Sequence, residues 1–311
     1  MPKLTRLTAW TREQTHAAAM RSRAGGPCFE TMWRRCLLMA ACLGPVLVVC
    51  ACRTMPGGSE DPSASTPTLR IATYNIRHGR GSDDVLDLDR TARAIAALDA
   101  DIVALQEVDE KVRRSGDVDQ AATLGKALGM YHAFGSFMDY DGGRYGMAIL
   151  SRWPIESMAS WRLPTGNEPR VALAIEVDPP GMGPCSIVDV HFDWVADDGF
   201  RFAQAEAVAA RLAALDHRWI LLGDFNATPG TRTRRLFGGL GREGDRPASG
   251  SKTWPATIPT IDIDTIIAGP AEAWSAFDLR VVPETIASDH RPVVTRVTGK
   301  VVDTHRPTGG E

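Results

Sequence analysis

The sequence predicts an α/β fold with considerable antiparallel content, and three observations lead there. Strand-length apolar runs recur between residues 69 and 297, helical stretches with an apolar face are fewer, and no internal repeat interrupts the series. Because strands outnumber long helices, some must follow one another directly and pair antiparallel. In order, residues 69–74 alternate as a strand. Residues 87–98 place Leu88, Ala92, Ile95 and Leu98 at helical spacing, and residues 101–105 form a buried strand. A second helix covers residues 120–128, followed by strands over 148–151, 171–177 and 186–191. Residues 200–215 form an Ala-rich helix with Phe202, Ala205, Ala209 and Leu212 on one face. It leads into a strand over 219–222, and the last strands cover 265–267 and 293–297.

The 311 residues are 44% apolar and 23% charged, an ordinary globular composition with room for one large domain or two small ones. The net charge of −3 singles out no strongly basic or acidic partner, but it hides a split. Residues 1–68 carry eight basic and four acidic side chains, which leaves residues 69–311 with 27 basic and 34 acidic ones, a balance of −7. Proteins that grip a duplex concentrate Lys and Arg to displace counterions, so bulk DNA is not the favoured partner. Five of the six cysteines precede residue 53 and Cys185 alone falls in the body, so the fold rests on its apolar core rather than on a disulfide.

The N-terminus reads as an address. Arg34 and Arg35 lead into an apolar run over residues 36–51, and Val49-Cys50-Ala51-Cys52 resembles the lipobox of bacterial lipoproteins, with Cys52 as the acceptor and Cys50 as a departure from the pattern. A spanning helix needs about 20 apolar residues; this run has 16, interrupted by Gly44 and Pro45. A cleaved or lipidated signal is expected, with an uncleaved anchor or a buried core helix as the alternatives. Met32 would start a signal of the usual proportions. The expected organisation is an N-terminal extension and signal over 1–52, a Gly/Ser/Pro-rich tether over 53–68, a catalytic body over 69–298 and a tail over 299–311. The protein is then extracytoplasmic, membrane-tethered through its N-terminus, and a monomer.

Polar residues gather where apolar strands end, which is where a layered α/β fold collects a site. They are Asn75, Glu107, His191, Asp224 with Asn226, Asp264, and Asp289 with His290. Glu107 leaves a buried strand, so its carboxylate needs a hard cation or another partner; a helix-capping or salt-bridged glutamate is the other reading. Asp224-Phe225-Asn226 follows Gly223 and can hold and orient a water, or form an Asx-turn. Asp289-His290 sets a carboxylate beside an imidazole that can take a proton or hold phosphoryl charge, and His191 is a second imidazole at a strand end. His78 is read as loop chemistry and His132 as a packed or substrate-side residue, while His16, His217 and His305 have no constellation around them.

Taken in order, Thr73-Tyr74-Asn75-Ile76, Gln106-Glu107-Val108, Tyr145-Gly146-Met147-Ala148-Ile149-Leu150-Ser151-Arg152, Asp189-Val190-His191-Phe192-Asp193, Gly223-Asp224-Phe225-Asn226 and Ser288-Asp289-His290-Arg291-Pro292 resemble the endonuclease/exonuclease/phosphatase superfamily over residues 69–298. The resemblance implies a four-layered α/β sandwich, two mixed β-sheets flanked by helices, with the site at one end. It implies a hydrolase of phosphodiester or phosphomonoester bonds that uses Mg²⁺, with Mn²⁺ as a substitute. Glu107 matches the principal metal ligand, with Asn75 and Asp289 beside it. Asp224 matches the residue that orients or deprotonates the attacking water, Asn226 its partner, and His191 and His290 the histidines flanking the scissile phosphate. Asp264 matches the carboxylate that orients the second histidine, although Asp262 sits in an overlapping Ile-Asp repeat, and Arg170 matches a phosphate contact. Met147 and Phe192 depart from residues common among relatives. The expected substrate is a phosphate ester on a lipid headgroup, a sugar or a nucleotide, with nucleic acid as the alternative and a decayed binding protein as the least favoured.

Overall fold

The structure is a computed structural model that describes residues 66–300. The signal, the lipobox with Cys52, most of the tether and residues 301–311 lie outside them. In chain order the elements are β1 (Thr68–Asn75), α1 (Leu88–Leu98), β2 (Ile102–Glu110), α2 (Gln120–Leu128), β3 (Tyr131–Tyr140), β4 (Gly143–Ser151), β5 (Ser157–Arg162), β6 (Val171–Val177), β7 (Cys185–His191), α3 (Asp198–Leu212), β8 (Arg218–Asp224), α4 (Arg232–Leu236), β9 (Arg242–Glu243), β10 (Asp264–Gly269), β11 (Arg280–Val281) and β12 (Val293–Thr298). Aspartates open the three longer helices: Asp87, Asp119 and Asp197 accept from the backbone N–H of Arg90, Ala122 and Gly199. This cap starts α3 two residues before the apolar spacing predicts.

The strands form two mixed six-stranded sheets, ordered β11-β12-β1-β2-β4-β3 and β5-β6-β7-β8-β10-β9. In each, one central pair is parallel, β1 with β2 and β7 with β8. Side chains such as Ile71, Ile149, Leu173, Ile187 and Leu222 fill the space between the sheets. Ile95, Leu98 and Leu124 cover the outer face of the first sheet, and Val208, Leu212 and Phe237 that of the second. This gives the four layers of helix, sheet, sheet and helix that the resemblance implies.

The longer elements missing from the sequence reading are β3, β5 and the first half of β4, and the short α4, β9 and β11 are missing with them. In β3 apolar and polar residues do not alternate cleanly, and its pairing with β4 slips between Ser136 and Met138. β5 is an edge strand with little burial to mark it. The β3–β4 hairpin closes on Asp141 and Gly142, both at positive φ, as a two-residue turn of this kind requires. His132, expected to be packed or substrate-side, lies exposed opposite Leu150, at the far end of the hairpin from the polar cluster described next.

Candidate active site

Side-chain alternation decides where the polar strand ends point. On β1, Leu69 and Ile71 enter the inter-sheet core while Ala72 and Tyr74 pack under the helices, so Asn75 closes the strand on the inner face. The same parity carries Ile102 and Ala104 on to Gln106 in β2, Cys185 and Ile187 on to Asp189 and His191 in β7, and Ile220 and Leu222 on to Asp224 in β8. In β10 it places Asp264 with Ile266 and Ala268. Register then lines them up: Asn75 beside Gln106, His191 beside Asp224, and Asp224 opposite Asp264.

Glu107 reaches this cluster by breaking the alternation. The pairing of β2 with β4 slips between Gln106 and Val108, and Val108 returns to the outer face. Glu107 is the extra residue of this bulge and sits at φ 58, a left-handed conformation that costs a side-chain-bearing residue about 1–2 kcal/mol. Its carboxylate accepts from Asn75 Nδ2 at 3.1 Å, and the same nitrogen donates to Asp224 Oδ2 at 3.2 Å. Asn75 Oδ1 accepts from the Arg77 N–H. Asn75, grouped by the resemblance with the metal residues, is thus placed as a donor bridging two carboxylates, with its amide oxygen already engaged.

Asp224 is the hub. Its Oδ1 accepts from the backbone N–H of Asn226 at 2.9 Å, so the Asx-turn forms and still leaves Oδ2 facing the cluster. His191 Nε2 lies 3.5 Å and His290 Nε2 3.8 Å from that Oδ2. His290 Nδ1 is 3.0 Å from Asp264 Oδ2, while Asp262 turns instead to Arg246, at 2.9 Å, which settles the ambiguity of the Ile-Asp repeat. The Ser288 hydroxyl donates to the Asn75 carbonyl at 2.7 Å and pins the Asp289-His290 segment to β1. Asn226 Nδ2 donates to the Phe192 carbonyl, on the edge of the cluster.

Arg170 is placed otherwise than the resemblance implies. It is 3% exposed, with Nη1 3.2 Å from His191 Nδ1 and Nη2 3.0 Å from Glu168 Oε2. Buried and held on both sides, it meets the histidine rather than an open phosphate space. A guanidinium only donates, so His191 Nδ1 is the acceptor and its proton resides on Nε2, toward Asp224.

Burial and charge push the two imidazoles apart. Burial, then Arg170 and His290, hold His191 well below the ordinary histidine value, so it is neutral. At His290 burial opposes the charge, but Asp264, Asp224 and Asp289 overcome it and lift the group to about 10. Burial and the facing Asp264 carry Asp224 up to about 7. Asp189, fully buried and accepting from Gln106 Nε2 at 2.6 Å, is pushed well above the carboxylate range by burial. Among the described residues, Asp224, Asp264 and His290 form a trio whose ligand atoms lie within 4.8 Å of one another and could hold a metal ion. Here an imidazolium between two carboxylates already supplies positive charge. Glu107 and Asp289 are different, for no Lys, Arg or His among the described residues forms an ion pair with either.

Trp254, which the sequence reading did not single out, donates from Nε1 to Asp289 Oδ2 at 3.3 Å. It lies 35 residues from its partner in an irregular loop, where no periodicity could have marked it. Gln106 and Asp189 stood in quoted motifs without a role, because alternation alone does not tell a buried polar contact from a site.

The model of the Endonuclease/Exonuclease/phosphatase family matches residues 72–290, which spans every site residue above. The chain belongs to the endonuclease/exonuclease/phosphatase family. Members of this family are, as a rule, hydrolases of phosphate esters. The uncharacterized protein YbhP of Escherichia coli (strain K12) is 27% identical over 256 residues, covering 74% of this chain and 96% of its own. A family structure from Beutenbergia cavernae DSM 12333 shares 23% identity over 75% of this chain and 72% of its own, with a TM-score of 0.59. The mannosyl-6-phosphatase Bt3783 of Bacteroides thetaiotaomicron VPI-5482 shares 20% identity over 74% of this chain and 99% of its own, with a TM-score of 0.60. At these identities the two structures speak for the family fold and not for a substrate.

Proposed function

We propose that this chain is a metal-dependent hydrolase that cleaves a phosphate ester, diester or monoester, by in-line attack of water. The observation that carries this reading is the convergence on Asp224 Oδ2 of Asn75, His191 and His290, with Glu107 on the same amide. Asp224, near 7, suits the task of taking a proton from water at neutral pH. His290, already charged, suits that of stabilising negative charge on the phosphoryl oxygens rather than removing a proton. His191 offers a neutral Nε2–H to the same oxygens, and Asp264 holds His290 in place. As the water oxygen bonds to phosphorus, its proton passes to Asp224, and the P–O bond opposite breaks with its electron pair on the leaving oxygen, which departs as an alcohol after taking a proton from solvent.

The donor chemistry fits a hard divalent cation, because Glu107 and Asp289 are oxygen ligands without a cationic partner among the described residues. They would hold Mg²⁺, or Mn²⁺ in its place, with Asn75 orienting Glu107. Bound there, the ion neutralises phosphoryl charge. The substrate classes this reading favours are a sugar phosphate, a lipid headgroup or a nucleotide; the acidic body speaks against a nucleic-acid strand.

The test is hydrolysis of bis-p-nitrophenyl phosphate, p-nitrophenyl phosphate, a sugar phosphate, a phosphoinositide and plasmid DNA with Mg²⁺, Mn²⁺ or EDTA, beside Glu107→Gln and His290→Gln. Metal-dependent turnover lost in both variants is expected; equal turnover in EDTA would sink the metal, and none on any substrate would return the binding-protein reading. For the location we propose lipidation at Cys52, resting on the lipobox-like run. Cys52→Ser is expected to move the protein from the membrane to the soluble fraction. No helix among the described residues is long and apolar enough to cross a membrane.

A further inference from the structure

Tyr145 opens the motif that runs to Arg152, and β4 carries it to the mouth of the candidate active site. Ile149, Met147 and Tyr145 follow one another on the inner face of that strand. Met147 lies opposite Gln106, in the row that also holds Asn75, and Tyr145 lies opposite Asp109. These two pairs bracket the bulge that delivers Glu107. On its other flank the Tyr145 ring meets Phe137 edge-on at 4.8 Å, and the Arg170 guanidinium lies 5.0 Å over Phe137 while holding His191. Tyr145 thus stands between the carboxylate suited to a metal and the arm that fixes the His191 donor.

The ring is held firmly. The Arg114 guanidinium sits 4.6 Å over it and is itself locked by two hydrogen bonds, of 2.8 and 2.9 Å, to the fully buried Asp109. A side chain fixed in this way needs little further ordering when a ligand arrives. What the packing leaves over is the hydroxyl. It makes no hydrogen bond among the described residues, although Tyr145 is only 8% exposed. The Tyr74 hydroxyl also lacks a partner but is sealed from solvent, whereas that of Tyr145 is not. Burial and then Glu107 hold the phenol well above its ordinary value, against Arg170 and Arg114, so it is a neutral donor in want of an acceptor. The two carboxylates whose charge reaches it are engaged already, Glu107 by Asn75 and Glu168 by Arg170. The acceptor then comes from outside, and a phosphate ester in this site brings phosphoryl oxygens to it.

We infer that Tyr145 is a further catalytic residue, whose hydroxyl donates to a phosphoryl oxygen of the bound substrate beside the His191 and His290 donors. The inference rests on the phosphate-ester reading of the Glu107 and Asp224 site and adds a third donor to it.

The experiment compares the full chain with Tyr145→Phe, which keeps the ring between Phe137 and Arg114 and removes one O–H. Tyr140→Phe is the control, because Tyr140 is the other ring beneath Arg114, at 4.5 Å, and lies outside the catalytic cluster. With Mg²⁺ and p-nitrophenyl phosphate, Tyr145→Phe is expected to lose about tenfold or more in kcat with KM changed less than about threefold, and Tyr140→Phe to match the wild type. An unchanged kcat in Tyr145→Phe, or an equal loss in both variants, overturns the inference. Calorimetry with inorganic phosphate on Mg²⁺-saturated protein reads the contact without turnover. Tyr145→Phe should bind phosphate about fivefold more weakly than the wild type; equal binding, or a wild type that binds none, overturns the inference. Mn²⁺ binding followed by electron paramagnetic resonance should be the same in both proteins. A matching loss there would mean that the hydroxyl acts through Glu107, and would overturn it too. Phosphate binding that depends on the Tyr145 hydroxyl, in a protein that hydrolyses no ester, would refute the hydrolase reading and leave the contact standing.

Discussion

At the residue scale the site works by holding neighbouring groups in opposite protonation states. Glu107→Gln, Asp224→Asn and His290→Gln should each lower kcat by about two decades or more, since each removes a charge that acts in the transition state; circular dichroism would show the fold retained. The rate should follow a bell in pH. Asp224 must lose its proton, so activity rises through about 7. His290 must keep its own, so activity falls through about 10. Asp264→Asn removes the carboxylate beside His290 Nδ1 that lifts the group, so the alkaline limb should move to lower pH while the acid limb also falls, because Asp264 raises Asp224 as well. A profile with both limbs unmoved would refute that assignment. Arg170→Met frees His191 Nδ1 and should cost about tenfold in kcat, with the loss of the Nε2–H tautomer visible in the ¹⁵N shifts of the ring. Arg170→Lys should not restore it, for an ammonium lacks the fork that spans His191 and Glu168.

At the element scale the site depends on two irregularities in otherwise regular strands. The bulge at Glu107 delivers a carboxylate that regular pleating would have turned away, and the strain it carries is held by the ladders on either side. Gly223 permits the close approach of β7 and β8: it sits at φ 141, and a Cβ there would lie 2.0 Å from the Val190 carbonyl oxygen. The register pairs Val190 with Gly223 and His191 with Asp224, so any shift propagates into the site. Gly223→Ala should destabilise the fold by about 3 kcal/mol or more, read as a fall in the denaturation midpoint. Any protein that remains folded should have lost activity as well. A neutral midpoint would mean that the strands part at little cost.

At the scale of the whole molecule, two mixed sheets face each other with their polar strand ends at one edge, so the site is built from both halves of the sandwich. Asn75, Glu107 and Asp289 come with the first sheet, His191, Asp224 and Asp264 with the second, and the Asn75 to Asp224 hydrogen bond crosses between them. A ligand that binds across this edge should tighten the fold as a unit. At Mg²⁺ a hundredfold above its Kd, stabilisation of about 2.7 kcal/mol is expected from mass action alone. The melting temperature should rise with Mg²⁺ in the wild type and in Asp264→Asn but not in Glu107→Gln. The opposite pattern would place the ion in the Asp224, Asp264 and His290 trio instead.

The sequence by itself determined the α/β class, most of the strands, and the positions at which polar residues end them, because hydrophobic periodicity is written locally and alternation fixes which face a strand buries. Six short motifs in order also carried the family and its layered sandwich. The tertiary structure decided what those residues do to one another. Asp264 rather than Asp262 meets His290, since only the register of β10 against β8 and the pull of Arg246 separate two members of an Ile-Asp repeat. Asn75 faces carboxylates with its nitrogen, Arg170 is spent on His191, and Trp254 arrives at Asp289 from 35 residues away. The protonation states follow from burial and from distances between separate strands, and neither is encoded at any single position. Period and composition are properties of a segment, whereas a hydrogen bond between two sheets exists only once both have folded.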